Sequence, residues 1–366
     1  MQDGNGRVSG AAVESERRRG APPKHWIDEA WLERRTEDVI DADRPIVDPH
    51  HHLWDRPHHT YQLPQLLQDL GSGHNVRGTV FVECTSMYRK EGDARFAPVG
   101  EVEFANGIAA ACASGYYGPV RAAAGIVGTV DMMQGAAARE VLEACKARAP
   151  DRFRGIRHRT AWDADHEVHA VPGKATPSLM RDAKFREGFA QLAPLGLTFD
   201  AWCFHPQLPE LIELVDAHPD TRVIVNHVGG LAGTGVYRTR QGDAFRAWAG
   251  DMRALAQRPN VFVKLGGLGM RLSGFDHFFD RDQPATSEEL AQAWKPAVET
   301  CIEAFGANRA MFESNFPVDK ACCTYRTLWN AFKRLAANCS QSEKADLFAG
   351  TAIRAYRLPA SLGQAA

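Results

Sequence analysis

The chain alternates between short apolar runs and longer stretches whose apolar residues recur every three or four positions. Runs at 46–53, 78–87, 122–131, 153–161, 198–205, 222–228, 261–268 and 309–316 are β-branched or apolar. Several are hydrophobic almost without interruption, as a strand covered on both faces requires. Between them, 99–113, 135–147, 177–195, 206–217, 243–257, 287–305 and 325–337 carry helical spacing, and 343–356 reads as a closing helix. One of them, EVLEACKARAP, stops at a proline, a common helix end. Eight strands alternating with helices predict an α/β protein, a (β/α)8 TIM barrel in one domain. The competing arrangement is an open, doubly wound sheet. It would favour a glycine-rich phosphate loop after the first strand, where this chain has histidines instead.

The ends differ from this pattern. Residues 1–24 are rich in Gly, Ser, Arg and Glu without apolar periodicity and read as a disordered tail. Residues 25–45 read as a lead-in segment, with Trp26, Ile27, Trp31 and Leu32 apolar and Asp28 placed to cap a short helix. Residues 46–366 are assigned to the barrel.

Composition narrows the partners. The 366 residues hold 43 Lys+Arg against 45 Asp+Glu, a formal charge of −2. That balance shows no basic footprint for nucleic acid. No run reaches the ~18 apolar residues of a membrane span, and the N-terminus lacks the apolar core of a secretory signal, so a cytoplasmic protein is expected. The eight cysteines form no CxxC pair and read as small core residues. Cys322-Cys323 has no base nearby in sequence and is not read as a nucleophile.

The chemistry gathers at the ends of the strands. Asp48-Pro49-His50-His51-His52 closes the first run. Side chains alternate along a strand, so His50 and His52 share a face with Asp48, while His51 points the other way. Two imidazoles at this spacing form a natural metal chelate; a histidine-rich turn without a ligand is the bland alternative. His58 and His59 are loop residues that could rim a pocket. His227 ends VIVNH before a glycine pair, and His205 ends the preceding run, where helix entry explains it equally well. Glu313 and Asn315 share a face at the end of the last run and could bind metal or move a proton. Glu83, Arg157, His158 and Lys264 supply further polar groups for binding substrate. Arg157 could fork onto a substrate carboxylate, or hold Glu83 or Glu313 in a buried pair.

The stretches DPHHHLWD, FRGIRH, NHVGG, NVFVKLGGLG and FESNFP together resemble the amidohydrolase superfamily, in its amidohydrolase-2 branch of lactonases and decarboxylases. The resemblance covers about residues 40–357. It implies a (β/α)8 barrel with His50 and His52 after the first strand and His227 on a middle one. Some members hold one zinc or manganese ion with these groups, and some lactonases use the same residues without metal. A two-metal site is not implied, because the bridging lysine of other superfamily members has no match at Arg157-His158. One departure stands out. Where the branch has Gly-Ser-Asp-Trp-Pro, this chain has Glu313-Ser314-Asn315-Phe316-Pro317. An amide cannot take a proton from water, so Glu313 is expected to do so directly or through a water.

These readings lead to a hydrolase that opens a small lactone or related cyclic ester. His50, His52, Glu313, Asn315 and His227 would be catalytic, His50, His52 and His227 would be the ligands of any one divalent ion (Zn or Mn), and Arg157, His158, His205, Glu83 and Lys264 would contact the substrate. The partner would be a small, anionic carbonyl compound; a homo-oligomer is admitted but not read from the sequence. The alternative is a decarboxylase of a small aromatic or unsaturated acid, suggested by Asn315. A barrel that has lost catalysis and only binds is the third reading, opposed by the three intact histidines.

Overall fold

The computed structural model describes residues 27–56, 59–168 and 175–364. The expected tail at 1–24, Trp26, His58 and part of the loop at 161–176 therefore lie outside the described residues.

Eight parallel strands form one sheet: β1 (Ile46–His51), β4 (Val76–Val82), β5 (Arg121–Gly128), β6 (Phe153–Ile156), β7 (Thr198–Ala201), β8 (Val223–Val225), β9 (Val261–Leu265) and β10 (Ala310–Phe312). Each pairs with the next in chain order. The first and last approach through a parallel bridge between His51 and Phe316, with the His52 amide donating to the Phe316 carbonyl at 2.8 Å and the Asn315 amide to the His50 carbonyl at 3.0 Å. This is the (β/α)8 barrel, and the open sheet is excluded. A small antiparallel hairpin, β2 (Trp54–Arg56) with β3 (His59–Tyr61), follows the first barrel strand. It falls, with the helix Leu63–Leu70, between the runs at 46–53 and 78–87, where the periodicity predicts no element.

All eight expected strands exist, but their ends come early. The runs counted to 87, 205 and 228 stop at Val82, Ala201 and Val225. The chain then turns sharply, with Thr85, Met87, His227, Val228 and Asn315 all at positive φ, between 47° and 63°. The polar residues thus leave the ladder for loops at the C-terminal mouth, the face where barrels of this kind carry their chemistry.

The helices Val99–Ala113 and Ser287–Phe305 match their expected bounds. The latter begins with a capping box between Thr286 and Glu289, which satisfies free amides at the first turn. The expected helix at 177–195 is instead a broken segment, with α-helix only over Ala183–Phe189, and the closing helix contains a π turn at Asp346–Gly350.

The barrel's lower interior packs Val47, Val80, Val82, Val127, Ile224 and Met311 against Ala352, Ala355, Tyr356, Leu358 and Leu362 of the C-terminal segment. Gly125 permits this approach, since a Cβ there would stand 2.9 Å from Leu358 Cδ2. At the other end of the chain, Asp28 caps the helix Glu29–Leu32 and Trp31 is buried, its indole donating to the Arg281 carbonyl at 2.8 Å. All eight thiols are free and seven are buried. Among the described residues, no helix is long and apolar enough to cross a membrane.

Candidate active site at the barrel mouth

His50 lies at the centre of the mouth. Its backbone is fixed by Asp48, whose carboxylate accepts from the His50 amide (3.2 Å), the Ser314 amide (2.9 Å) and the Tyr325 hydroxyl (3.0 Å). Asp48 therefore ties the first strand to the last loop, and burial pushes its carboxyl up to about 6. His50 Nε2 faces His52 Nε2 at 3.3 Å and Arg157 Nη1 at 3.3 Å. Its Nδ1 lies 2.6 Å from Glu313 Oε2 and 3.2 Å from Lys264 Nζ. His52 Nδ1 lies 2.8 Å from the Val82 carbonyl. A carbonyl only accepts, so this Nδ1 carries the hydrogen and Nε2 is left with its lone pair.

His227 is oriented by Glu313. Oε1 accepts from the His227 backbone amide at 3.0 Å and from Nδ1 at 2.7 Å. The neutral ring thus keeps Nε2 free as an acceptor. Trp202 lies edge-on against the same ring, with centroids 4.7 Å apart. Two glycines make this possible: a Cβ on Gly267 would stand 2.4 Å from His227 Nδ1, and one on Gly230 2.0 Å from the Cys203 carbonyl oxygen.

The electrostatics keep the imidazoles neutral. Burial, reinforced by Lys264 at His50 and Arg157 at His52, holds both rings well below the usual imidazole range. Burial also lowers His227, against the pull of Glu313. For Glu313, burial raises the carboxyl, but His227 and Lys264 outweigh it and leave the group below its ordinary value, hence ionised. Glu83 follows the same balance, lowered by Arg157 and Arg159.

Arg157 forms the buried pair with Glu83. Its Nε donates to Glu83 Oε1 at 2.7 Å and Nη2 to the Glu83 carbonyl at 2.6 Å, which leaves Nη1 toward His50. Arg159, not foreseen from sequence, donates to both Glu83 oxygens at 2.8 and 2.7 Å.

Three expected substrate contacts are engaged within the protein. Lys264 is fully buried, its Nζ 2.7 Å from Asp200 Oδ2 and 3.2 Å from His50 Nδ1. His158 points away from His50, accepting from the Met132 amide at 3.1 Å and packing on Phe185, because it follows inward-facing Arg157 by one residue. His205 accepts from the Ala232 amide at 3.3 Å and lies against Tyr237, a helix-entry role. Asp200 and Tyr356 were missed, although Asp200 left a signal: it is a charge within the apolar run TFDAW. Asp200 Oδ2 accepts from the Tyr356 hydroxyl at 2.8 Å and from Asn226 Nδ2 at 3.0 Å, which builds a buried polar layer.

Asn315 is engaged by Asp319. Its Nδ2 donates to Asp319 Oδ1 at 2.8 Å. Burial pushes the Asp319 carboxyl up to about 8. Glu313 is likewise closed off, fully buried between two imidazoles.

The ligand grouping also changes. Among the described residues, the set whose donor atoms all lie within 4.8 Å of one another is His50, His227 and Glu313, rather than the three histidines. His50 and His227 each set Nδ1 against Glu313, at 2.6 and 2.7 Å, whereas His52 meets the Nε2 end of His50 at 3.3 Å. The donor set suits a divalent ion, since two imidazole nitrogens and a carboxylate are ordinary ligand types for zinc; Glu313 Oε2 itself meets His50 Nδ1 at 2.6 Å and Lys264 Nζ at 4.0 Å.

The amidohydrolase family pattern (Amidohydro_2) matches residues 47–358. The y4mH protein of Sinorhizobium fredii (strain NBRC 101917 / NGR234) is 31% identical over 333 residues, 87% of this chain and all of that one. The L-fucono-1,5-lactonase of Burkholderia multivorans is 27% identical over 217 residues, 57% of this chain and 64% of the relative. A crystal structure of a Burkholderia multivorans amidohydrolase with bound zinc superposes with a TM-score of 0.64 at 23% identity, covering 86% of this chain and all of that one. With a family match over nearly the whole barrel, this chain belongs to the amidohydrolase family, in its amidohydrolase-2 branch.

Proposed function

We propose that this protein opens a small lactone or related cyclic ester by attack of water, with His227 as the proton acceptor and Glu313 acting through it. The observation that carries this reading is the 2.7 Å pair between Glu313 Oε1 and His227 Nδ1. A buried carboxylate on one imidazole nitrogen fixes the tautomer, holds the ring and stabilises the imidazolium that forms. His227 Nε2 then removes a proton from water as its oxygen bonds to the ester carbonyl carbon. The growing charge on the carbonyl oxygen is met by Arg157 Nη1, the donor that Glu83 leaves free. As the ring C–O bond breaks, His227 returns the proton to the leaving oxygen and the product is a hydroxy acid. A zinc or manganese ion would be held within the His50–His227–Glu313 group and would supply Lewis-acid polarisation of the carbonyl.

The lactonase among the relatives supports this choice of substrate class. The rim supports an anionic substrate, because Arg159 and Arg56 add positive charge there, Arg56 lying over Trp54 at 4.0 Å.

The test is acid release from a panel of lactones, beside carbon dioxide release from a panel of benzoates. Glu313→Gln should reduce lactone turnover by about 10²–10⁴-fold with its melting profile retained, and His227→Ala should do the same. Full turnover in Glu313→Gln would overturn the assignment. Carbon dioxide release with no lactone opening would overturn the reaction class.

A further inference from the structure

Asp319 is a buried carboxyl that the proton transfer above does not use. It has no ion-pair partner among the described residues, and a buried carboxyl without a cation is costly to keep. Both of its oxygens are nevertheless occupied. Oδ1 accepts from Asn315 Nδ2 at 2.8 Å, and Oδ2 accepts from the Gly269 amide at 2.9 Å. The second contact depends on glycine, since a Cβ at position 269 would stand 2.9 Å from Oδ2. Asn315 is itself pinned: it sits at φ 54°, and its amide donates to the His50 carbonyl at 3.0 Å.

A primary amide has a donating end and an accepting end. Asp319 takes the donating end. The accepting end, Oδ1, is what Asn315 has left to offer the site beside His50. A water that donates one hydrogen to His227 Nε2 has a second hydrogen to place, and an amide oxygen can receive it without removing it. We propose that Asp319 is a positioning residue that locks the Asn315 amide with its oxygen toward the hydrolytic water, so that Asn315 holds this water while His227 deprotonates it. This rests on the hydrolytic reading above.

The experiment compares Asp319→Asn, Asn315→Asp and the double variant in which the two groups are exchanged. In Asp319→Asn, the new side chain must still accept from Gly269, so it turns its own NH2 toward position 315. The Asn315 amide then flips and offers water a donor. Turnover should fall about 10–100-fold, the scale of a mispositioned reactant, with KM within about twofold and the melting profile unchanged. In the exchanged double variant, the carboxylate now at position 315 accepts from the amide now at position 319. Its other oxygen faces the water, so turnover should recover. A merely structural Asp319 would not be rescued by a change at 315. Unchanged turnover in Asp319→Asn, or equal loss in the single and exchanged variants, would overturn the proposal.

A readout independent of activity separates this inference from the reaction itself. In protein labelled with 15N-asparagine, the Asn315 side-chain amide signal, assigned by its loss in Asn315→Asp, should be protected from solvent exchange, and Asp319→Asn should displace it. If no lactone is opened but the signal behaves this way, the orientation stands and the reaction class falls. If Asp319→Asn leaves the signal unmoved, the orientation falls whatever the reaction.

Discussion

The polar layer beneath the mouth offers the strongest test of how the site is held. Lys264→Met removes an ammonium that is fully buried and 2.7 Å from fully buried Asp200. Methionine nearly preserves the volume, so cavity formation contributes little. What remains is a carboxylate held by the Tyr356 hydroxyl at 2.8 Å and the Asn226 amide at 3.0 Å, with no cation in contact. Breaking a buried pair from one side costs about 3–5 kcal/mol, because the surviving charge stays desolvated. At roughly 2 °C per kcal/mol for a large domain, the melting temperature should drop by about 6–10 °C. Urea unfolding followed by circular dichroism measures the same loss as a shift in midpoint at constant slope. The double variant Lys264→Met/Asp200→Leu removes both charges and should be less damaged than the two single losses added together, with a coupling of about 1–3 kcal/mol. Additive losses, or a Lys264→Met protein within about 1 kcal/mol of the parent, would refute the account of this layer as a mutually dependent buried pair.

Two other predictions concern neighbouring shells. Gly267→Ala places a methyl group about where His227 Nδ1 stands, 2.4 Å away, at a position with φ of 68°; turnover should fall about 100-fold through displacement of the ring, measured beside a KM for the same lactone. Glu101 Oε1 accepts from the Cys84 and Ser86 amides at 2.9 and 2.8 Å, yet burial first and Glu83 second push its carboxyl up to about 7. The folded state therefore keeps a proton that the unfolded chain releases near its ordinary value of 4.5, so this residue favours folding least above pH 7. Relative to Glu101→Gln, the parent should lose roughly 3 kcal/mol of stability between pH 4.5 and 7, read from urea midpoints; a pH-independent difference would contradict the shift.

The barrel was legible because its strands carry apolar runs of the right length and its helices carry clear periodicity. The hairpin Trp54–Arg56 with His59–Tyr61 was not, because each strand has three residues and the alternation is too short to register. At the site, parity placed His50, His52, Glu313 and Arg157 together, since alternation survives to the end of a strand. Lys264 also reaches His50, at 3.2 Å, but its pair with Asp200 joins residues 64 apart and leaves no mark in spacing. Nor could sequence spacing show that Arg157 and Arg159 close on Glu83, 74 and 76 residues away.

The departures at 313 and 315 make physical sense as one rearrangement. Glu313 requires space that only a glycine across from it provides: a Cβ on Gly266 would stand 2.5 Å from Glu313 Cγ. Once Glu313 holds His227, the carboxylate that orients this imidazole comes from position 313. An aspartate at 315 would then put a second carboxyl within hydrogen-bond reach of Asp319, 2.8 Å from where the amide nitrogen now sits. Burial already pushes the Asp319 carboxyl up to about 8, and a second carboxylate at that distance would make it hold its proton more firmly still. An amide at 315 avoids that conflict while retaining an oxygen that accepts. Asn315 is therefore what Glu313 and Asp319 together allow, and the absence of a carboxylate there does not imply the loss of hydrolysis.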